Sequence, residues 1–109
     1  MNIVLLYVTA PDPYTAKTLA LGAITSQLAA CANILPSMKS IYVWDDKLNE
    51  EDESVLILKT RAELIPKLMK WIEKQHPYEV PCMLEIPIPN GHKPYMEWLM
   101  AETEGGADA

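Results

Sequence analysis

Apolar and polar positions along this chain fall into blocks with two different periods. Residues 2–10, "NIVLLYVTA", are an unbroken apolar, β-branched and aromatic run of strand length, the pattern of a strand covered on both faces. Asp12 then suits an N-cap and Pro13 a first helical position. Leu21, Ile24, Leu28 and Cys31 follow at spacings of three and four, which predicts a helix over 13–31 with one apolar stripe. A second strand is expected over 33–44, broken near Pro36 because proline donates no ladder hydrogen bond. "DDKLNEEDES", 45–54, holds six acidic residues and reads as a polar hairpin connection. "SVLILKT", 54–60, is a third strand. Thr60 and Glu63 have the spacing of a capping box. Behind them Leu64, Leu68, Trp71 and Ile72 predict an amphipathic helix to about His76, stopped by Pro77. "CMLEIPI", 82–88, is a fourth strand, Asn90 and Gly91 turn the chain, and "PYMEWLM" forms a short last helix. Residues 1–102 make one domain and 103–109 a flexible tail.

The order β-α-β-β-α-β with right-handed crossovers defines an α+β, ferredoxin-like sandwich. It has a four-stranded antiparallel sheet with both long helices on one face. Strands one and three are apolar on both faces, yet two helices cover only one. A bare sheet face of Val, Leu and Ile exceeds what soluble monomers expose, so an oligomer is expected.

Composition narrows the function. The chain has 109 residues, 50% of them hydrophobic and 22% charged, with a net charge of −6. That is ordinary globular composition, and the acidic balance opposes binding to nucleic-acid phosphates. No apolar run has the roughly 18 residues of a membrane span. The opening run lacks the basic residues and cleavage site of a signal peptide. With two cysteines, Cys31 and Cys82, expected as thiols, the reading is a cytoplasmic protein.

Four stretches, "LAACANI" (28–34), "SIYVWDDKLNEEDESVLILKT" (40–60), "HPYEVP" (76–81) and "YMEWL" (95–99), together resemble the CutA divalent-cation tolerance family over about residues 3 to 99. The resemblance implies a homotrimer, similar in architecture to the PII signalling proteins, whose long central hairpins pair between subunits. It also implies a role in tolerance of copper and other divalent metals, with no established enzymatic reaction and no organic cofactor. Cys31, Trp44, Glu53, Lys59, Thr60, His76, Pro77 and Tyr78 match family positions. The chain departs from the family in two places: Asp46 stands where members commonly carry Gly, and Cys82 where they carry Glu.

Candidate residues follow from chemistry and resemblance together. His76, Cys82 and Cys31 offer imidazole and thiol ligands suited to copper or another divalent metal ion. Cys31 also reads as a small buried group on the first helix. Lys59, Tyr78, Glu53, Glu79 and Trp44 are expected to line a cleft between subunits, with Lys59 sharing it with His76 and Tyr78 or pairing with Glu53 or Glu79. The function read is binding of a metal ion or a small ligand in that cleft, without turnover. One alternative is a hydrolase of acyl phosphates using His76 and Glu79 as acid and base and Lys59 for an oxyanion. Against it, the chain has no Gly-rich phosphate loop and a single arginine, Arg61. The other alternative is a scaffolding trimer that docks through the polar hairpin or the tail.

Overall fold

The first strand, β1 (Ile3–Ala10), lies between two antiparallel neighbours in a computed structural model that describes residues 1–108. Its neighbours are β3 (Lys47–Arg61), paired from Ile3↔Arg61 to Ala10↔Ser54, and β4 (Met83–Ile88), paired from Ile3↔Ile88 to Val8↔Met83. The fourth member, β2 (Cys31–Trp44), pairs with β3, so the sheet order is β2-β3-β1-β4. Helices α1 (Pro13–Thr25) and α2 (Ile65–Gln75) make the two crossovers. This is the ferredoxin-like α+β sandwich expected from the element order.

Alternation along the strands sorts the core. Val4, Leu6, Val8 and Ala10 of β1 and Leu56 and Leu58 of β3 are buried with Leu19 and Ala23 of α1 and Leu68 and Ile72 of α2. The opposite, open face carries Leu5, Tyr7, Ile57, Leu35, Leu84 and Ile86, the last three well exposed. Helix α3 (Lys93–Glu102) covers one end of it, anchored by the buried Leu99.

Four local expectations are corrected. The first helix stops at Thr25, because Gln27 takes a left-handed φ of 59° and Leu28 and Ala29 both donate to the Ala23 carbonyl. Cys31 therefore opens β2 rather than ending a helical stripe. The face α1 buries is Ala16, Leu19, Ala20 and Ala23, while Leu21 is exposed. The acidic stretch is mostly strand. Only Asp45 and Asp46 turn, with φ 53° and 61°, as a two-residue hairpin needs. The paired strands beyond Ser54 thus project as an arm past the end of β1, and the molecule is 45 Å long. The expected break at Pro36 is present as a register shift between Leu35 and Met38.

Thr60 and Glu63 form no capping box. Thr60 lies inside β3, buried, and its hydroxyl donates to the Leu28 carbonyl at 2.7 Å. A 3-10 turn, Ala62–Leu64, then leads into α2, and Glu63 pairs with Arg61 at 3.1 Å. The segment read as a flexible tail holds a short helix, α4 (Glu104–Asp108). Fully buried Thr103 accepts from Arg61 Nε at 2.8 Å, Arg61 also donates to the Met100 carbonyl, and Lys67 donates to the Gly106 carbonyl at 3.0 Å. Among the described residues no helix is long and apolar enough to cross a membrane.

Candidate ligand groove at the base of the hairpin arm

Beyond the end of β1, the face of β3 that lies over the open side of the sheet carries Asn49, Glu51 and Glu53. They stand at every second residue, so strand alternation aims all three the same way. Tyr42 pairs with Asn49 and Trp44 with Lys47 across the arm. Facing them is the α2–β4 connection, "HPYEVP". Together with Thr9 and Cys82, these two walls enclose a groove of about 550 Å³ lined by Tyr42, Trp44, Glu51, Glu53, Tyr78 and Glu79 among others.

The connection is held by a chain of hydrogen bonds. His76 ends α2, its backbone N–H still bonded to Ile72, and the following Pro77 cannot continue the helix. The His76 ring is buried. Nε2 lies 2.7 Å from the Thr9 carbonyl, and Nδ1 is 3.1 Å from the backbone N–H of Tyr78. Since a carbonyl only accepts and an amide N–H only donates, Nε2 carries the proton and Nδ1 is the acceptor. Both nitrogens are committed. The Tyr78 ring packs on this imidazole with centroids 4.8 Å apart, and its hydroxyl donates to Glu53 Oε2 at 2.8 Å. The stretch is thus a strut that ties β1, the loop and the arm together.

The groove is acidic. Glu51, Glu53 and Glu79 line it, and no Lys, Arg or His does. Burial, then the hydrogen bond to Glu53 and its charge, push the Tyr78 phenol far above its ordinary value. Tyr42 is raised in the same way by burial and by Glu51. Burial and the Glu53 charge raise the Cys82 thiol, with a hydrogen bond to Thr9 opposing them. Cys82 is accordingly a neutral thiol near pH 7, and a metal would have to displace its proton to bind it.

Of the eight residues singled out from sequence, the structure brings five to this groove: Glu53, Tyr78, Glu79, Cys82 and Trp44. His76 lies directly behind it. Lys59 and Cys31 are elsewhere. They face each other in the β2–β3 register, six residues from Glu53, which along a strand is about 20 Å. The Lys59 ammonium sits 5.5 Å from the Tyr95 ring centroid and 3.5 Å from its hydroxyl, so it pairs with neither Glu53 nor Glu79 and shares no cleft with His76. His76, Cys82 and Cys31 do not converge, and among the described residues no group of three or more His, Cys, Asp or Glu is placed to hold a metal ion. One chain's donor set, with a committed imidazole and no third donor converging on the thiol, does not fit a metal by itself. Asn49 and Glu51 were missed because the acidic stretch read as a loop; as a strand, its two-residue period would have marked Glu51 beside Glu53. Thr9 and Tyr42 lie in strands that the sequence did place, and nothing local marks them as facing the groove.

A ferredoxin-like sandwich with an extended hairpin arm and an acidic groove at its base is the class of protein these observations define. The family model of the CutA1 divalent ion tolerance protein matches residues 4–102, and the chain belongs to that family. It is similar to the crystal structure of CutA1 from Oryza sativa, with a TM-score of 0.93, 38% identity and 95% of each chain covered. It also resembles the divalent cation tolerance protein of Thermus thermophilus, at 0.89 and 38%, covering 94% of this chain and 99% of that one. Protein CutA of Homo sapiens is 36% identical over 103 residues, 94% of this chain. The chain spans only 58% of that human protein's length.

Proposed function

We propose that this protein acts in divalent-cation tolerance as a cytoplasmic homotrimer, through occupancy of the groove between the arm and the "HPYEVP" connection, without turnover. The observation that carries this reading is the groove itself, in which three carboxylates and three aromatic rings line one cavity in a family named for divalent ions. Trimer formation is supported by the open sheet face and by the arm, where Leu35, Ile41, Val43, Leu48 and Leu84 are all more than half exposed. Assembly through those surfaces makes the groove an inter-subunit cleft. It also gives copper or another divalent ion the further ligands that one chain lacks. The absence of turnover is supported by His76, whose nitrogens both hold backbone groups, and by the distance of Lys59 from the groove. Relatives are named for other compartments, chloroplastic in rice and periplasmic in Archaeoglobus fulgidus.

Native mass spectrometry of metal-stripped protein, titrated with copper and with zinc, tests this. The expected result is a trimer that takes up three ions at low excess, with uptake reduced in Glu51→Gln and Glu53→Gln. A monomer, or uptake indifferent to both substitutions, would overturn it.

A further inference from the structure

Four asparagines stand in the chain, Asn2, Asn33, Asn49 and Asn90, and only Asn90 is followed by glycine. An asparagine amide is an electrophile that the backbone nitrogen of the next residue can attack, closing a succinimide ring. Two things ordinarily prevent this: the next side chain crowds the ring, and secondary structure holds the nitrogen out of line with the amide. Asn2 and Asn33 precede isoleucines, and Asn49 precedes Glu50. Ile3, Ile34 and Glu50 all lie in paired strands, where the backbone is fixed in the extended form. Asn90 has neither protection. Glycine carries no Cβ and its backbone turns freely, and residues 89–92 connect β4 to α3 outside any helix or strand. Asn90 and Gly91 are exposed, and among the described residues neither the Asn90 side chain nor the Gly91 N–H has a hydrogen-bond partner. The connection follows Ile88, opposite Ile3, whereas the arm projects beyond Ala10, about 24 Å away along β1.

We propose that Asn90–Gly91 is a site of spontaneous deamidation, a covalent modification in which water is the one co-reactant. The Gly91 nitrogen loses its proton and bonds to Asn90 Cγ, the bond from Cγ to the side-chain nitrogen breaks, and that nitrogen leaves as ammonia. Water then opens the succinimide at either carbonyl. Opening at Cγ gives aspartate in an ordinary backbone, and opening at the main-chain carbonyl gives isoaspartate, with the chain rerouted through Cγ. One water is consumed for each ammonia released, and nothing is oxidised or reduced. Either product places a carboxylate just ahead of α3, which has no acidic residue in its first turn and whose N-cap, His92, makes no capping bond through its side chain. Negative charge there suits the helix dipole. Isoaspartate also lengthens by one carbon the path that holds α3 on the sheet, where Leu99 is buried and the Tyr95 hydroxyl lies 3.5 Å from Lys59 Nζ. A Cβ at Gly91 would meet Met96 Sδ at 2.8 Å, so Asn90 is the position to vary.

Peptide mapping by mass spectrometry tests this on the native, assembled protein, sampled over weeks in mildly alkaline buffer made with heavy-oxygen water. The urea-unfolded chain and Asn90→Gln, whose longer side chain closes a ring far less readily, are run beside it. In the native protein Asn90 is expected to convert at least about tenfold faster than Asn2, Asn33 or Asn49. Each event should add one labelled oxygen, and the product should divide between aspartyl and isoaspartyl peptides, told apart by fragmentation. Asn90→Gln should stay unchanged at that position. An Asn90 that survives in the native protein while converting in the unfolded chain would show the connection held or covered in the assembly, and overturns the inference. Conversion no faster than at the other asparagines overturns it too. Conversion that yields aspartate with no isoaspartate would mean direct hydrolysis of the amide, and overturns the attack by Gly91.

Discussion

The Tyr78 hydroxyl donates to Glu53 Oε2 at 2.8 Å and so joins two segments 25 residues apart, the loop after α2 and the root of the hairpin arm. The same phenol rests on the His76 ring. One hydrogen bond thus bridges the two walls of the groove. Replacing Tyr78 by Phe keeps the ring contact and removes only that bond. A loss of about 1.5 kcal/mol is expected, the scale for a hydrogen bond to a charged group, read as a lower urea midpoint at unchanged slope. An unaltered midpoint would show that the contact does not order the loop.

His76 is a strut in the structure, with neither nitrogen free. His76→Ala leaves the Thr9 carbonyl and the Tyr78 N–H without partners and opens a cavity. A destabilisation of about 2 to 3 kcal/mol is expected, measured by chemical denaturation. If the variant keeps its stability and loses copper uptake, the ligand role drawn from sequence would be right and the strut role wrong.

The pH dependence has a definite sign. Cys82 and Tyr78 are both raised above their ordinary values of 9.0 and 10.0 in the folded state. Each therefore supports folding fully below those values, and the support is lost as pH rises through the folded-state value, because the unfolded chain releases its proton first. Stability is expected to be flat from pH 7 to 8 and to fall above about pH 9. The fall should be shallower in the double variant Cys82→Ser, Tyr78→Phe. Equal slopes in the two proteins would remove both groups from the account.

Asp46 holds a left-handed φ of 61° at the hairpin turn. Glycine enters the left-handed region without the steric cost of a Cβ. Asp46→Gly should raise stability by about 0.5 to 1 kcal/mol, seen as a higher melting temperature. A fall would mean that the carboxylate has a partner in the assembled protein.

Gly106 of α4 lies against the backbone of Gln27 and Leu28, so closely that a Cβ would strike the Gln27 carbonyl. Gly106→Ala is expected to cost about 1 to 3 kcal/mol despite alanine's better helix propensity, and to make the last residues a site of limited proteolysis. Full protease resistance in that variant would place α4 off the body of the domain.

Element order, strand runs and the second helix were legible in the chain because apolar runs and three-four spacings are local signals. They led correctly to the ferredoxin-like sandwich, to the break near Pro36 and to the stop at Pro77. The first helix was overextended because its buried face is mostly alanine, which carries little hydrophobic contrast. Meanwhile Leu21, the most conspicuous apolar residue of the expected stripe, faces out. The arm was hidden because exposed strands of acidic residues look like loops until a partner strand is present to take their backbone hydrogen bonds.

Residue types were determined by the sequence alone, and with them the inventory of the site: two carboxylates, a phenol, a thiol and an indole all reached the groove. Which of them meet was decided only in three dimensions. The β2–β3 register set Cys31 opposite Lys59, far from Cys82, and backbone groups from β1 and the loop claimed both nitrogens of His76. Spacing along a chain orders neighbours within one element. The company a side chain keeps across elements is chosen by which faces must be buried and which backbone groups still need partners, and those demands are met only when the sheet has closed.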